Sequence, residues 1–369
     1  MTSKLLHKNI SRHDGCTVTG ALTVTAFLRD SATIVHGPKG CCHQASSVLH
    51  SSMLYNECFE IPDIFSSAMD EKNIIFGGED SLNDAIKESL EEDFRCIFVI
   101  GTCISDTIGD DIESVCSKFK SRSEIPIIPV RASGFLGGSF DKGFISALKS
   151  ASKLIKTPDL KNIKSGQNSE KSPKIIWDDK TPSVNIIGEK NLEFEAENNF
   201  LEVKRLLKLL GADVNVRFIR NTTTSDIKKF CDASLCVIRD DASGEIKEYF
   251  EGITGLPCIS SYPCGVCGAL DFLKEAGHHL GINPDDAVNL EIAHQKEVFS
   301  SFEDLRGEKI SFDSFGFQKA ESSLFKDIAD LTGIIPDPDG AVIPVPFYTP
   351  VGTAGVKQML LQWRRFINE

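Results

Sequence analysis

Nowhere in this 369-residue chain does Gly-x-x-x-x-Gly-Lys-Ser/Thr occur. Without that backbone cradle for phosphates, any ATP-driven step must be carried by another protein. No Gly-x-Gly-x-x-Gly follows an apolar run either, so no nucleotide is expected on this chain. Basic residues are outnumbered, and the net charge of −13 argues against a nucleic-acid partner. No apolar run approaches the ~18 residues that cross a bilayer, so no membrane partner is expected. Met1 to Lys8 lacks the apolar core of a signal peptide. The expected location is therefore cytoplasmic, and the twelve cysteines are expected as free thiols rather than a disulfide framework. Close cysteine pairs of the zinc-ribbon kind are missing between residues 16 and 103, as is the tight cysteine run of a ferredoxin.

Hydrophobic residues make up 41% and charged residues 25%, an ordinary balance for a globular protein. At ~150 residues per domain the length allows two to three domains. Apolar runs at Ser31–Val35, Asn73–Phe76, Cys96–Ile100 and Ile125–Val130 read as strands, and helical periodicity lies between them. Polar residues with Pro158, Gly166 and Pro173 mark a linker. Beyond it, Ser183–Gly188, Val214–Phe218, Ser234–Arg239 and a run that begins at Pro257 and ends at Pro263 alternate with helical stretches in the same way. The expected fold is α/β: tandem Rossmann-like domains with parallel sheets. The divisions are 1–157, a linker at 158–174, a second domain at 175–282, and a mainly helical region at 283–369 packing back on the first domain. Ile334 to Gly355, rich in Pro and Gly, reads as a long ordered loop.

Three cysteines sit in turn-forming segments beside apolar runs: Arg12-His13-Asp14-Gly15-Cys16, His36-Gly37-Pro38-Lys39-Gly40-Cys41 and Gly101-Thr102-Cys103. A thiol at a strand end faces a crevice, and several in one crevice can hold iron and sulfide. Glycines let a bulky group approach the backbone, whose N–H groups then donate to sulfur. Cys96, Cys116 and Cys231 read instead as buried small hydrophobes. Cys264 and Cys267 have the spacing of a redox pair or half a metal site, weighed evenly against a plain strand-to-helix turn. His278 and His279 read as a solvated helix end.

Together, Cys16, His36-Gly-Pro-Lys-Gly-Cys41, Ile74-Ile-Phe-Gly-Gly-Glu79, Cys103-Ile-Ser-Asp-Thr-Ile-Gly-Asp-Asp-Ile112 and Pro129-Val-Arg-Ala-Ser-Gly-Phe135 resemble the nitrogenase component 1 family. The shortened chain, with no third Rossmann unit expected after Leu280, looks like the nitrogenase-like catalytic subunit of the reductive cyclase of coenzyme F-430 biosynthesis. The resemblance implies that Cys16, Cys41 and Cys103 bind an iron–sulfur cluster, a [4Fe-4S] cluster, at a subunit interface. It also implies a homodimer, an ATP-hydrolysing nitrogenase reductase-like iron–sulfur protein as electron donor, and a nickel tetrapyrrole substrate. Three thiols per chain satisfy either a cluster shared across a two-fold axis or one cluster per chain with a fourth ligand from elsewhere. Arg239 and Arg131 end strands and are candidate clamps for substrate carboxylates. Asp106, His43 and His13 flank the cysteine segments and are candidate proton donors. Asp110 and Asp111 read first as caps of the following helix. A scaffold for metallocluster assembly, or a reductase of another tetrapyrrole or thioether, is the alternative.

Overall fold

The computed structural model describes residues 15–56, 60–120, 122–135, 138–157, 181–193, 195–313, 322–346 and 348–368. Its first unit runs α1 (Thr17–Thr25), β1 (Ser31–His36), α2 (Lys39–Tyr55), β2 (Ile64–Ser66), α3 (Glu71–Phe76), α4 (Glu79–Ser89), β3 (Cys96–Gly101), α5 (Cys103–Ile108), α6 (Ile112–Phe119), β4 (Ile127–Arg131) and α7 (Phe140–Ala151). The strands lie parallel in the order β2-β1-β3-β4. β1 and β3 are buried along their whole length, because helices cover both faces of the sheet. Phe98 and Ile100 pack toward α1, α2 and α7, while Ile97 and Val99 pack toward α4 and α6. Strand order reverses between β1 and β3, where a crevice opens past the carboxyl ends of the strands.

The second unit has β5 (Ser183–Ile187), α8 (Ala196–Leu209), β6 (Asp213–Phe218), α9 (Thr224–Ile227), β7 (Leu235–Ile238), α10 (Glu245–Thr254), β8 (Cys258–Ile259), α11 (Gly265–Leu280) and α12 (Asp285–Ser300). Its order β6-β5-β7-β8, also parallel, repeats the first arrangement and places its own switch point between β5 and β7. The tandem Rossmann-like reading of the sequence holds. One core joins the units: Phe218, Phe230 and Phe250 belong to the same buried cluster as Val18, Leu22 and Phe98.

Three expectations need correction. Asn73–Phe76 is helical, not extended: Asp70 and Asn73 form a reciprocal capping box, and Gly77 at φ 102° ends the turn. The second strand is the short run Ile64–Ser66 instead. The region after residue 283 joins strands to its helices. β9 (Lys309–Asp313), α13 (Ser322–Thr332), β10 (Ile335–Pro336), β11 (Ala341–Pro344) and α14 (Gly352–Asn368) build a third, three-stranded parallel sheet in the order β10-β9-β11. The span expected as a loop therefore holds two strands. This region packs on the second unit, not the first. α14 lies against α8 and α11, the Ala354 N–H donates to Glu202 on α8, and Arg205 on α8 pairs with Glu291 on α12. The linker at 158–174 lies outside the described residues. No helix among the described residues is long and apolar enough to cross a membrane.

Candidate functional site

Cys41 follows β1 and Cys103 follows β3, and their strand ends are adjacent, with His36 in register with Gly101. Both thiols therefore flank the switch-point crevice of the first sheet. Cys16 reaches the same place from α1, which is set by an unusually close helix crossing. A Cβ on Gly143 of α7 would stand 1.9 Å from the Thr17 carbonyl oxygen, and one on Gly20 would stand 2.0 Å from that of Phe140. Only glycines allow this contact, so α7 fixes where α1 begins. Each thiol sits at a helix start: Cys16 caps α1, Cys41 lies in the first turn of α2, and Cys103 opens α5. Burial, followed by the like charges of Cys16 and Cys103, pushes the Cys41 thiol up. Cys16 and Cys103 thus lie close enough to Cys41 to act on it.

Gly134, after β4, closes the crevice. Its N–H donates to Cys103 Sγ at 3.2 Å, and a Cβ there would stand 3.0 Å from that sulfur. Among the described residues no three His, Cys, Asp or Glu side chains are grouped to hold a single metal ion. Separate thiolates, an N–H donor to sulfur and a glycine wall suit a wider inorganic cluster.

Behind the thiols lies a buried relay. The Gly37 N–H donates to Ser67 Oγ at 3.0 Å, so the Ser67 hydroxyl is left to donate to His36 Nδ1 at 2.9 Å. His36 then carries its proton on Nε2, donating to Asp110 Oδ2 at 2.9 Å. Burial lowers the His36 pKa and outweighs the raising effect of Asp110, which fits this neutral ring. Asp110 also accepts from the Gly78 N–H at 3.0 Å. One buried carboxylate therefore ties the Cys41 loop, the residues after α5 and the start of α4. The sequence reading missed this: Asp110 is not a helix cap. Asp111 is the cap, accepting from the Ser114 N–H at 2.9 Å.

The remaining candidates are scattered. His43 on α2 and Asp106 on α5 are exposed near the cysteines, and His13 lies outside the described residues. Arg131 is exposed and ion-paired with Glu113. Arg239 is buried at the end of β7, held by Glu193 at 2.6 Å and stacked over Tyr262. Cys96 and Cys116 are buried as expected, whereas Cys231 is half-buried. Cys264 caps α11 and Cys267 is exposed in its first turn, its thiol pushed up by burial and Asp327. His278 and His279 lie in the last turn of that helix.

Large apolar side chains are exposed on the elements that carry the thiols and beside them. Phe76 is 81% exposed, Ile75 71% and Phe135 68%. α3, which carries Ile75 and Phe76, packs beside the α5 of Cys103, and Phe135 follows Gly134. Val48 and Leu54 are exposed on α2. An apolar rim of this kind marks a contact surface.

The chain is 29% identical over 253 residues to the nitrogenase iron-molybdenum cofactor biosynthesis protein NifE of Methanosarcina barkeri, covering 68% of this chain and 52% of that one. It is 26% identical over 276 residues to the nitrogenase molybdenum-iron protein alpha chain of Methanothermococcus thermolithotrophicus, covering 71% and 55%. The chain thus spans about half the length of these relatives. In fold it is similar to nitrogenase Cp1 solved at pH 6.5, with a TM-score of 0.64, 23% identity and coverage of 87% and 60%. Residues 16–309 match the family described as nitrogenase component 1 type oxidoreductase, which begins at the first of the three clustered cysteines, and the chain belongs to that family.

Proposed function

We propose that this chain is the catalytic component of a two-component, ATP-dependent reductase, holding a [4Fe-4S] cluster on Cys16, Cys41 and Cys103. The observation that carries the reading is that Cys41 and Cys103 follow adjacent strand ends of the first sheet, with Cys16 close enough to act on Cys41. An iron–sulfur cluster held there would supply one-electron transfer. The chain has no phosphate-binding loop, which supports a separate ATP-hydrolysing iron–sulfur reductase as donor. The substrate is a nickel tetrapyrrole, Ni-sirohydrochlorin a,c-diamide, undergoing reductive cyclisation toward coenzyme F-430.

The functional unit is a homodimer. Three thiols fall short of the four that a cube takes, and they open onto an apolar rim of Ile75, Phe76 and Phe135 that a second copy would bury. Protein in one subunit excludes water from the thiols of the other. His43 and Asp106, exposed beside the cysteines, are the proposed proton donors, and His36 with Asp110 fixes the loops between them. The test is anaerobic turnover of nickel tetrapyrrole with a nucleotide-dependent reductase. Product that requires both proteins supports the reading, and no product from iron-replete protein contradicts it.

The similarity to the cofactor biosynthesis protein favours a second reading, a scaffold on which a metallocluster is built. Incubation with an apo-acceptor separates the two. A scaffold surrenders its iron, while a reductase retains it.

A further inference from the structure

The second sheet has its own switch-point crevice between β5 and β7, where a ligand of such a fold binds. Three arginines stand at the carboxyl edge of this sheet: Arg217 in β6 and Arg220 just beyond it, on the far side of β5 from that switch point, and Arg239 at the end of β7. Arg220 and Arg239 are 2% and 5% exposed, in a chain whose net charge is −13. Every one is neutralised, and all the counter-charges come from one stretch. Glu189 takes Arg217 in a two-pronged pair at 2.9 and 2.8 Å. Glu193 takes Arg239 at 2.6 Å. Glu197 spans two guanidinium groups, with one oxygen 2.8 Å from Arg217 and the other 2.7 Å from Arg220. The acids recur every fourth residue between the end of β5 and the first turn of α8.

These three cations are fixed on the strand ends of the sheet, while their carboxylates sit on one connection that begins at Gly188 with φ 80° and also carries Lys190, paired with Asp240 at 2.7 Å. We propose that Glu189, Glu193 and Glu197 are internal stand-ins for a polycarboxylate ligand, which binds by displacing them from Arg217, Arg220 and Arg239. The exchange swaps carboxylate for carboxylate. The arginines have already lost their water, so the ligand meets no further desolvation on their side, and the released glutamates regain theirs. A buried ion pair adds little net stability against its desolvation, so opening these pairs is cheap compared with breaking them and leaving the cations bare. The inference rests on the reductase reading in one respect: it assigns the anchor for the peripheral carboxylates of that tetrapyrrole. The Glu193 carbonyl accepts from Asn56 Nδ2 at 2.9 Å, and Asn56 caps α2, which begins beside Cys41. The anchor is therefore joined by one helix to the cysteine crevice.

The test uses the full chain and two probes, benzenehexacarboxylate and uroporphyrin. Glu193→Gln leaves Arg239 without its counter-charge, so this variant should bind either probe roughly tenfold more tightly than the unsubstituted protein. Arg239→Met should bind roughly tenfold more weakly. Titration by calorimetry, or by porphyrin fluorescence, reads both. In the unsubstituted protein, hydrogen exchange at Glu189 to Glu193 should rise when a probe binds. This last measurement needs no variant to fold. Equal affinities across the three proteins, or undisturbed protection at Glu189 to Glu193 with probe bound, overturn the proposal. Binding of benzenehexacarboxylate with no binding of uroporphyrin upholds the carboxylate site and counts against the tetrapyrrole. Porphyrin binding that leaves the glutamates protected does the reverse.

Discussion

At Asp110 a single side chain holds three segments of the cysteine crevice together. Its carboxylate accepts from His36 and from the Gly78 N–H, and it is 4% exposed. Asp110→Ala strands both donors away from water, at about 1–3 kcal/mol for each. Asp110→Asn retains one accepting oxygen and should cost about half as much, which urea unfolding will read. His36 gives a pH dependence of definite sign. Burial holds its ring neutral, with a folded pKa below the ordinary 6.5, while the unfolded chain takes up the proton at that ordinary value. The unfolded state therefore binds more protons as pH falls below 6.5. Stability is full above this point and declines as pH drops toward the folded value. Unfolding midpoints at pH 7.5 and 5.5 should show a smaller loss in His36→Gln than in the unsubstituted protein. An equal loss in both would remove His36 from the account.

At the scale of elements, the α1–α7 crossing decides where Cys16 lies. Gly143→Ala forces a methyl group against the Thr17 carbonyl and should cost about 1–3 kcal/mol. Because the displaced helix begins beside Cys16, the variant should also bind less iron. Calorimetric unfolding and an iron assay on the same sample check both effects. The alternation of strands and helices was legible because buried parallel strands such as Cys96–Gly101 are continuously apolar. The cysteines were legible because glycine and proline surround them at strand ends. α3 misled because Ile74-Ile75-Phe76 looks like a strand, whereas the Asp70–Asn73 capping box makes it a turn of helix with an exposed apolar side. The third sheet was hidden because β10 and β11 are short and carry Pro336 and Pro344, residues that ordinarily punctuate loops. The arginine–glutamate pairs left no local signal, since Arg239 and Glu193 lie 46 residues apart and meet only through the fold.

At the scale of the molecule, two Rossmann-like units repeat one topology. The first presents thiols and an apolar rim; the second presents buried cations. The small third sheet braces the second unit through α14. Sedimentation should find a dimer, and Phe76→Glu on the rim should shift it toward monomer. A monomer in the unsubstituted protein would contradict the shared-interface arrangement. The most direct test of the whole account is the iron and acid-labile sulfide content of anaerobically reconstituted protein, compared with Cys41→Ala and Cys103→Ala. The account predicts iron and sulfide in near-equal amounts in the parent protein and a loss of most of both in each variant. Full retention of iron in both variants would contradict it.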